Sequence, residues 1–179
     1  MKHAFSQICF VTSDIERIAN RWADLQGAGP FYEFPTPGDG WVLRGEKVAQ
    51  SFRAMLGFCG TTMLEFVQPI GTGPSFYRER LEESGDGAVH HVYSRMGPLS
   101  AEEFAEQSKR YEAQGAKLTM HAKLPMGEIA FFDARATIGC YLELMEQEPA
   151  VSLLSERMYA AHVAGVDGRL FRPFEELMG

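Results

Sequence analysis

The chain has 179 residues, with 17 Lys+Arg against 24 Asp+Glu for a net charge of −7, and 45% of its residues are hydrophobic. That is the length of one domain or of two small repeats sharing a core, and the composition is that of a folding chain rather than a disordered one. The acidic balance, with no Lys/Arg cluster, excludes the electrostatic footprint of phosphate-backbone binding, so nucleic acid is not expected as a partner.

No stretch approaches the roughly 20 apolar residues of a membrane helix, so no membrane partner is expected. The opening MKHAFSQICFVTSD has no signal-peptide pattern. Cys9, Cys59 and Cys140 form no CxxC pair, and an odd count argues against a disulfide framework. A reducing cytoplasm is the expected location.

In chain order, Ser6 to Gly29 opens with a short apolar run and continues with Ile15, Ile18, Ala19, Trp22 and Leu25 at helical spacing. A strand and then an amphipathic helix are predicted. Ser13 with Glu16 reads as a capping box, and Gly27 as the residue that ends the helix. Residues 31–34, with or without 41–43, then 48–58 and 61–67, read as three strands. A Gly- and Pro-rich linker, 71–87, carries a short helix over 76–83.

The second half repeats the first. Residues 91–96 read as strand, Ser100 with Glu103 as a second capping box, and Phe104, Ser108 and Tyr111 as the inner side of a helix. That helix ends in Gln114-Gly115-Ala116, matching Gln26-Gly27-Ala28. Strands follow over 117–124, 128–135 and 140–146.

The predicted fold class is therefore α+β: two tandem βαβββ modules forming a curved sheet around a shared cleft. The modules occupy 1–70 and 89–148, joined by the linker 71–88, with a C-terminal helix and tail over 149–179.

The last strands of the modules correspond: Met63-Leu64-Glu65-Phe66-Val67 against Tyr141-Leu142-Glu143-Leu144-Met145. A mid-strand carboxylate among apolar neighbours costs several kcal/mol to desolvate unless it is paired with a cation or coordinates a metal. A salt bridge to Arg or Lys answers for one such glutamate, but the same placement in both halves points to a shared cleft. Equivalent first strands supply Gln7 and His91, with His90 beside it expected on the opposite face. Gln7, Glu65, His91 and Glu143 then offer three oxygens and one nitrogen, a set suited to divalent Zn, Mn, Co, Ni or Mg.

These motifs, QICFVTSDIE, MLEFVQP, AVHHVYS and YLELMEQEP, resemble those of the vicinal oxygen chelate superfamily, which includes glyoxalase I, methylmalonyl-CoA epimerase, extradiol dioxygenases and bleomycin-resistance proteins. The resemblance covers about Ser6 to Gln147. It implies a metal-dependent isomerase, epimerase or lyase that stabilises an enolate or enediolate. Glu143 is the first choice for the base and Glu65 the second.

A single histidine among the four disfavours the dioxygenases, whose iron takes two. Val11, Pro69 and Gly87 stand where glyoxalase I holds glutathione, so that activity is not expected. Strand alternation adds Cys9, Val11, Met63, Val67, Tyr93, Tyr141 and Met145 to the ligands' faces. Of these, Tyr93, Tyr141, Met63 and Met145 are the substrate-binding candidates and favour a partly apolar small-molecule substrate. Arg95 is a candidate anchor for a carboxylate or phosphate, or a salt-bridge partner of either glutamate. His3, His121 and His162 find no partner in this reading, and Phe131-Phe132 reads as packing.

The alternative class is a metal-free module that sequesters a hydrophobic compound, as bleomycin-resistance proteins do. The tail carries Val163, Leu170, Phe171, Phe174 and Leu177, each worth roughly 1.5–3 kcal/mol on burial. The family pairs subunits through this fold, so a homodimer is expected, with the tail docked across its twofold axis or, alternatively, packed back on its own modules.

Overall fold

The computed structural model describes residues 5–36, 38–96, 99–124, 127–146 and 149–179. Strand β1 (Phe5–Val11) leads into helix α1 (Ile15–Gln26). The cap falls one residue beyond the expected Ser13: Asp14 is the N-cap, its carboxylate accepting from the Arg17 N–H at 2.9 Å. Ser13 is held differently, its N–H donating to the Asp86 carboxylate at 2.9 Å. Gly27 ends the helix as predicted, in the left-handed conformation at φ 65°.

Five strands complete the first half: β2 (Phe31–Phe34), the hairpin β3 (Trp41–Leu43) and β4 (Glu46–Val48), β5 (Phe52–Cys59), and then β6 (Thr62–Pro69). After the linker helix α2 (Phe76–Ser84), β7 (Val89–Met96) and α3 (Ala101–Ala113) repeat the opening, with the Ser100/Glu103 capping box present in full. Next come β8 (Lys117–Leu124), β9 (Gly127–Asp133), the single turn α4 (Arg135–Ile138) and β10 (Tyr141–Met145). The tail forms α5 (Pro149–Ala164), β11 (Phe171–Pro173) and a closing 3-10 turn, Phe174–Leu177.

Among the described residues the strands join into one mixed sheet in the order β11-β2-β5-β6-β1-β7-β10-β9-β8-β3-β4. The seam between the halves is β1 against β7, antiparallel, and each module begins with a parallel pair, β1 with β6 and β7 with β10.

Two features depart from the expected tandem modules. The hairpin of β3 and β4, sequentially in the first half, leaves it and pairs with β8 of the second, Trp41 opposite Ala122. The stretch predicted as one strand over 48–58 is accordingly broken at residues 49–51, where the chain returns to its own module. The hairpin buries Trp41 and Leu43 in the cleft-side core rather than extending the first module's sheet.

Helix α1 covers Phe31, Leu64 and Phe66, and α3 covers Ala130, Phe132 and Leu144. On the opposite, concave face lies the largest apolar cluster, which includes Cys9, Val67, Tyr93, Phe131 and Met145.

The tail packs on its own modules. Met158 and Leu177 are buried against Tyr32, Phe58 and Met63, Leu170 and Phe174 are half-buried, and β11 runs parallel to β2. Val163 and Phe171 stay exposed. His162, without a partner in the sequence reading, meets the Gly29 carbonyl at 2.7 Å through Nδ1 and ties the end of α5 to the start of β2. Among the described residues no helix is long and apolar enough to cross a membrane, and the three cysteines are free.

Candidate functional site

Strand register explains why distant residues meet. Glu65 pairs with Cys9, Cys9 with His91, and His91 with Tyr141, so these four stand in one row across β6, β1, β7 and β10. Directly paired residues project to the same side of a sheet. One step along, Met63 and Tyr93 flank Gln7 in a second row, and Glu143 lies two residues beyond Tyr141 on the same face of β10.

The side chains converge. His91 Nε2 lies 2.8 Å from Glu143 Oε2 and 3.0 Å from Glu65 Oε2. Gln7 Nε2 donates to Glu65 Oε2 at 2.7 Å. His91 and Glu143 are 1% and 7% exposed, so neither can turn to water.

Short as these contacts are, His91 Nε2 and Glu143 Oε2 are both buried without a hydrogen bond of acceptable direction. Buried polar atoms left in this way are costly, and a common cation between them answers the need. The donor set is a hard one of carboxylate oxygens, an imidazole nitrogen and an amide whose oxygen can face inward. The arrangement therefore fits a divalent ion, which Glu65, His91 and Glu143, with Gln7 beside them, could hold. Burial works against the charged form of the His91 ring, but Cys9 and Glu143 outweigh it and raise the ring's affinity for a proton. A metal held by His91 would take the place of that proton.

The quartet forms the floor of a cavity of about 160 Å³. Its walls are apolar: Trp41 from the migrant hairpin, Phe52 and Leu56 from β5, Phe131 from β9, and Leu154 and Met158 from α5. Of the expected substrate-binding residues, Met63, Tyr93 and Met145 line it. Tyr141 does not. It lies one row below Glu143, packed against Phe76 at a ring separation of 4.5 Å and under the Arg135 guanidinium at 4.8 Å. The side chain of Arg95 lies outside the described part of the structure, as does His3.

Sequence reasoning named none of Trp41, Phe52, Leu56, Leu154 and Met158 as part of the site, and it also misplaced or missed Phe131, Tyr77 and His90. Phe131 is a cavity wall as well as packing. Tyr77, from the linker helix, reaches the cavity and is otherwise enclosed, its phenol held neutral by burial and by the charge of Glu65. The third is His90, expected on the opposite face. Cys9 pairs with His91 while the adjacent Phe10 pairs with Val89, so His90 is the extra residue of a β-bulge. A bulge breaks the alternation of faces, and both histidines turn inward. His90 is fully buried, and burial, with the neighbouring His91 second, holds its ring neutral.

No protein-family model matches the sequence, and no curated protein matches it significantly. Solved structures do share its shape. A hypothetical protein from Bacillus halodurans superposes with TM-score 0.57 at 14% identity, over 79% of this chain and 92% of its own. Methylmalonyl-CoA epimerase from Mycobacterium tuberculosis gives TM-score 0.53 at 16% identity, over 82% and 89%. A glutamate-to-glutamine variant of the Streptomyces coelicolor methylmalonyl-CoA epimerase, in complex with 2-nitronate-propionyl-CoA, gives 0.51 at 16%, over 81% and 97%. The chain has the α+β fold of these methylmalonyl-CoA epimerases.

Proposed function

We propose that this chain is a metal-dependent isomerase, epimerase or lyase that removes a proton next to the carbonyl of a partly apolar substrate. The observation that carries this reading is the convergence of Glu65, His91 and Glu143, with Gln7, at the floor of an otherwise apolar cavity. It is supported by the solved epimerases of the same fold, one of them in complex with methylmalonyl-CoA.

A divalent ion held by the quartet supplies Lewis-acid stabilisation of the negative charge that develops on the carbonyl oxygen. The apolar walls exclude water and hold the substrate's hydrocarbon part, which strengthens every charge interaction at the floor.

The two carboxylates are not equivalent. Glu65 is fastened by the Gln7 amide at 2.7 Å, whereas Glu143 receives no amide and its Oε2 lies 2.8 Å from His91 Nε2 without a hydrogen bond of acceptable direction. Glu143 is the freer group and is assigned the base. It accepts the α-proton as the C–H electron pair delocalises onto the carbonyl oxygen, and it returns a proton to carbon at the end of the cycle. Glu65 is the second candidate for this role.

The reading includes the homodimeric state. A monomer in sedimentation velocity at assay concentration refutes that part alone.

The function is tested on protein stripped with a chelator, then reloaded with Zn, Mn, Co, Ni or Mg. Proton–deuterium exchange at the α-carbon of a panel of neutral and CoA-ester carbonyl compounds is followed by NMR. Exchange that appears only on reloading is expected. Tight retention of hydrophobic compounds, equal with and without metal and free of exchange, refutes the enzyme and identifies a sequestering protein.

A further inference from the structure

The β7 bulge creates a contact that the reaction as described does not use. His90 Nδ1 and His91 Nδ1 are 2.9 Å apart, a hydrogen-bond distance, so one of the two carries the shared proton. The other nitrogen of each ring faces a different setting. His91 Nε2 faces Glu65 and Glu143. His90 Nε2 is buried with no hydrogen-bond partner, and its ring is enclosed by Phe76, Tyr77 and Tyr141 at ring separations of 4.5, 4.6 and 5.1 Å.

Only one assignment satisfies both ends. If His90 Nδ1 carried the proton, His90 Nε2 would be a bare lone pair inside a box of aromatic rings, with no donor to meet it. His91 Nδ1 would then accept, and the neutral His91 ring would have its proton on Nε2, where a metal requires a lone pair. In the reverse assignment, an N–H at His90 Nε2 is tolerated beside the Phe76 ring, which stands nearly perpendicular to the imidazole at 83°. His91 Nδ1–H then donates to His90 Nδ1, and His91 Nε2 is left open toward the two glutamates.

We infer that His90 is a positioning residue: held by its aromatic box as the Nε2–H tautomer, it accepts from His91 Nδ1–H and thereby fixes the orientation and tautomer of the His91 metal ligand. In many metal sites a carboxylate or carbonyl fills this place. Here a second imidazole does, and it keeps the group neutral in a pocket that has no room for another charge beside Glu65 and Glu143.

The inference rests on the proposed metal site, and its experiments separate the two. The first is ¹⁵N-correlated NMR of the imidazoles in wild-type, metal-free protein. His90 protonated at Nε2, with its Nδ1 accepting, is expected; His90 protonated at Nδ1 overturns the inference. The second is competition titration with Zn²⁺ on folded His90→Phe and His90→Asn. The first variant keeps a ring but loses the acceptor. The second places an amide oxygen close to the Nδ1 position.

Zn²⁺ affinity about 10–100-fold weaker in His90→Phe, largely restored in His90→Asn, is the expected result. Affinity within twofold of wild type in His90→Phe overturns the inference. If the phenylalanine variant does not fold, the wild-type tautomer decides alone. A wild-type protein that binds no divalent ion refutes the metal reading, while the His90 tautomer is still read from the metal-free spectra.

Discussion

Met158→Ala tests whether the C-terminal helix belongs to this chain's own core. Met158 is 2% exposed and packs with Tyr32, Phe58, Met63 and Leu177 while forming part of the cavity wall. Buried Met-to-Ala truncations cost about 2–5 kcal/mol, depending on how far the neighbours close the space left behind.

Here one side of the residue already borders a cavity, so fewer contacts are lost than at a fully enclosed site, and the cost falls at about 2–3 kcal/mol. In a domain of this size each kcal/mol shifts Tm by about 2–4 °C, which places the loss at roughly 4–12 °C. The assay is thermal unfolding followed by circular dichroism at protein concentrations spanning two decades. Packing within the chain makes the loss independent of concentration. A loss that deepens on dilution, or a change below about 2 °C, would show that α5 is seated on a partner or not seated at all, and would refute the description of the cavity roof.

Glu143→Gln is expected to lower α-proton exchange by about 10²–10⁴-fold with substrate binding mostly retained, whereas His91→Ala loses Zn²⁺ binding and substrate binding together; titration calorimetry beside the exchange assay separates the two. Ser100→Ala removes one half of the capping box at the start of α3 and is expected to cost about 1 kcal/mol in urea unfolding; an unchanged midpoint contradicts it. Arg53 joins Glu16 of α1 to Glu33 of β2 at 2.7 and 2.6 Å and holds both carboxyls below their usual 4.5. The unfolded chain therefore takes up these protons first, and the stabilisation is complete above about pH 4.5 and disappears as pH falls through the lowered folded values. With these groups partly exposed, Arg53→Ala should cost no more than about 1 kcal/mol at pH 7, and the gap to wild type should narrow as the pH falls below 4.5; a constant gap refutes the linkage.

The sequence alone determined what depends on neighbours along one strand or one helix. Glu65 and Glu143 announced themselves because a carboxylate between large apolar residues is anomalous in any fold, and their repetition in both halves placed Gln7 and His91 by correspondence. The Ser100/Glu103 box and the Gly27 stop are local backbone chemistry, and both were legible. Asp14 rather than Ser13 caps the first helix because Asp86, from the far end of the linker, engages the Ser13 backbone.

Tertiary structure decided what depends on register between strands and on which edge a segment finds. Alternation could not place His90, since one extra residue in β7 opposite β1 reverses its face. Nor could it separate Tyr141, a row too low to line the cavity, from Met145, which lines it. The hairpin at 41–48 carries no signal that its partner is β8 rather than its own module, because an exposed strand edge accepts any suitable backbone. The tail's apolar residues called for burial, but the surface formed by β2, β5 and β6 decided which received it, Leu177 and not Val163 or Phe171.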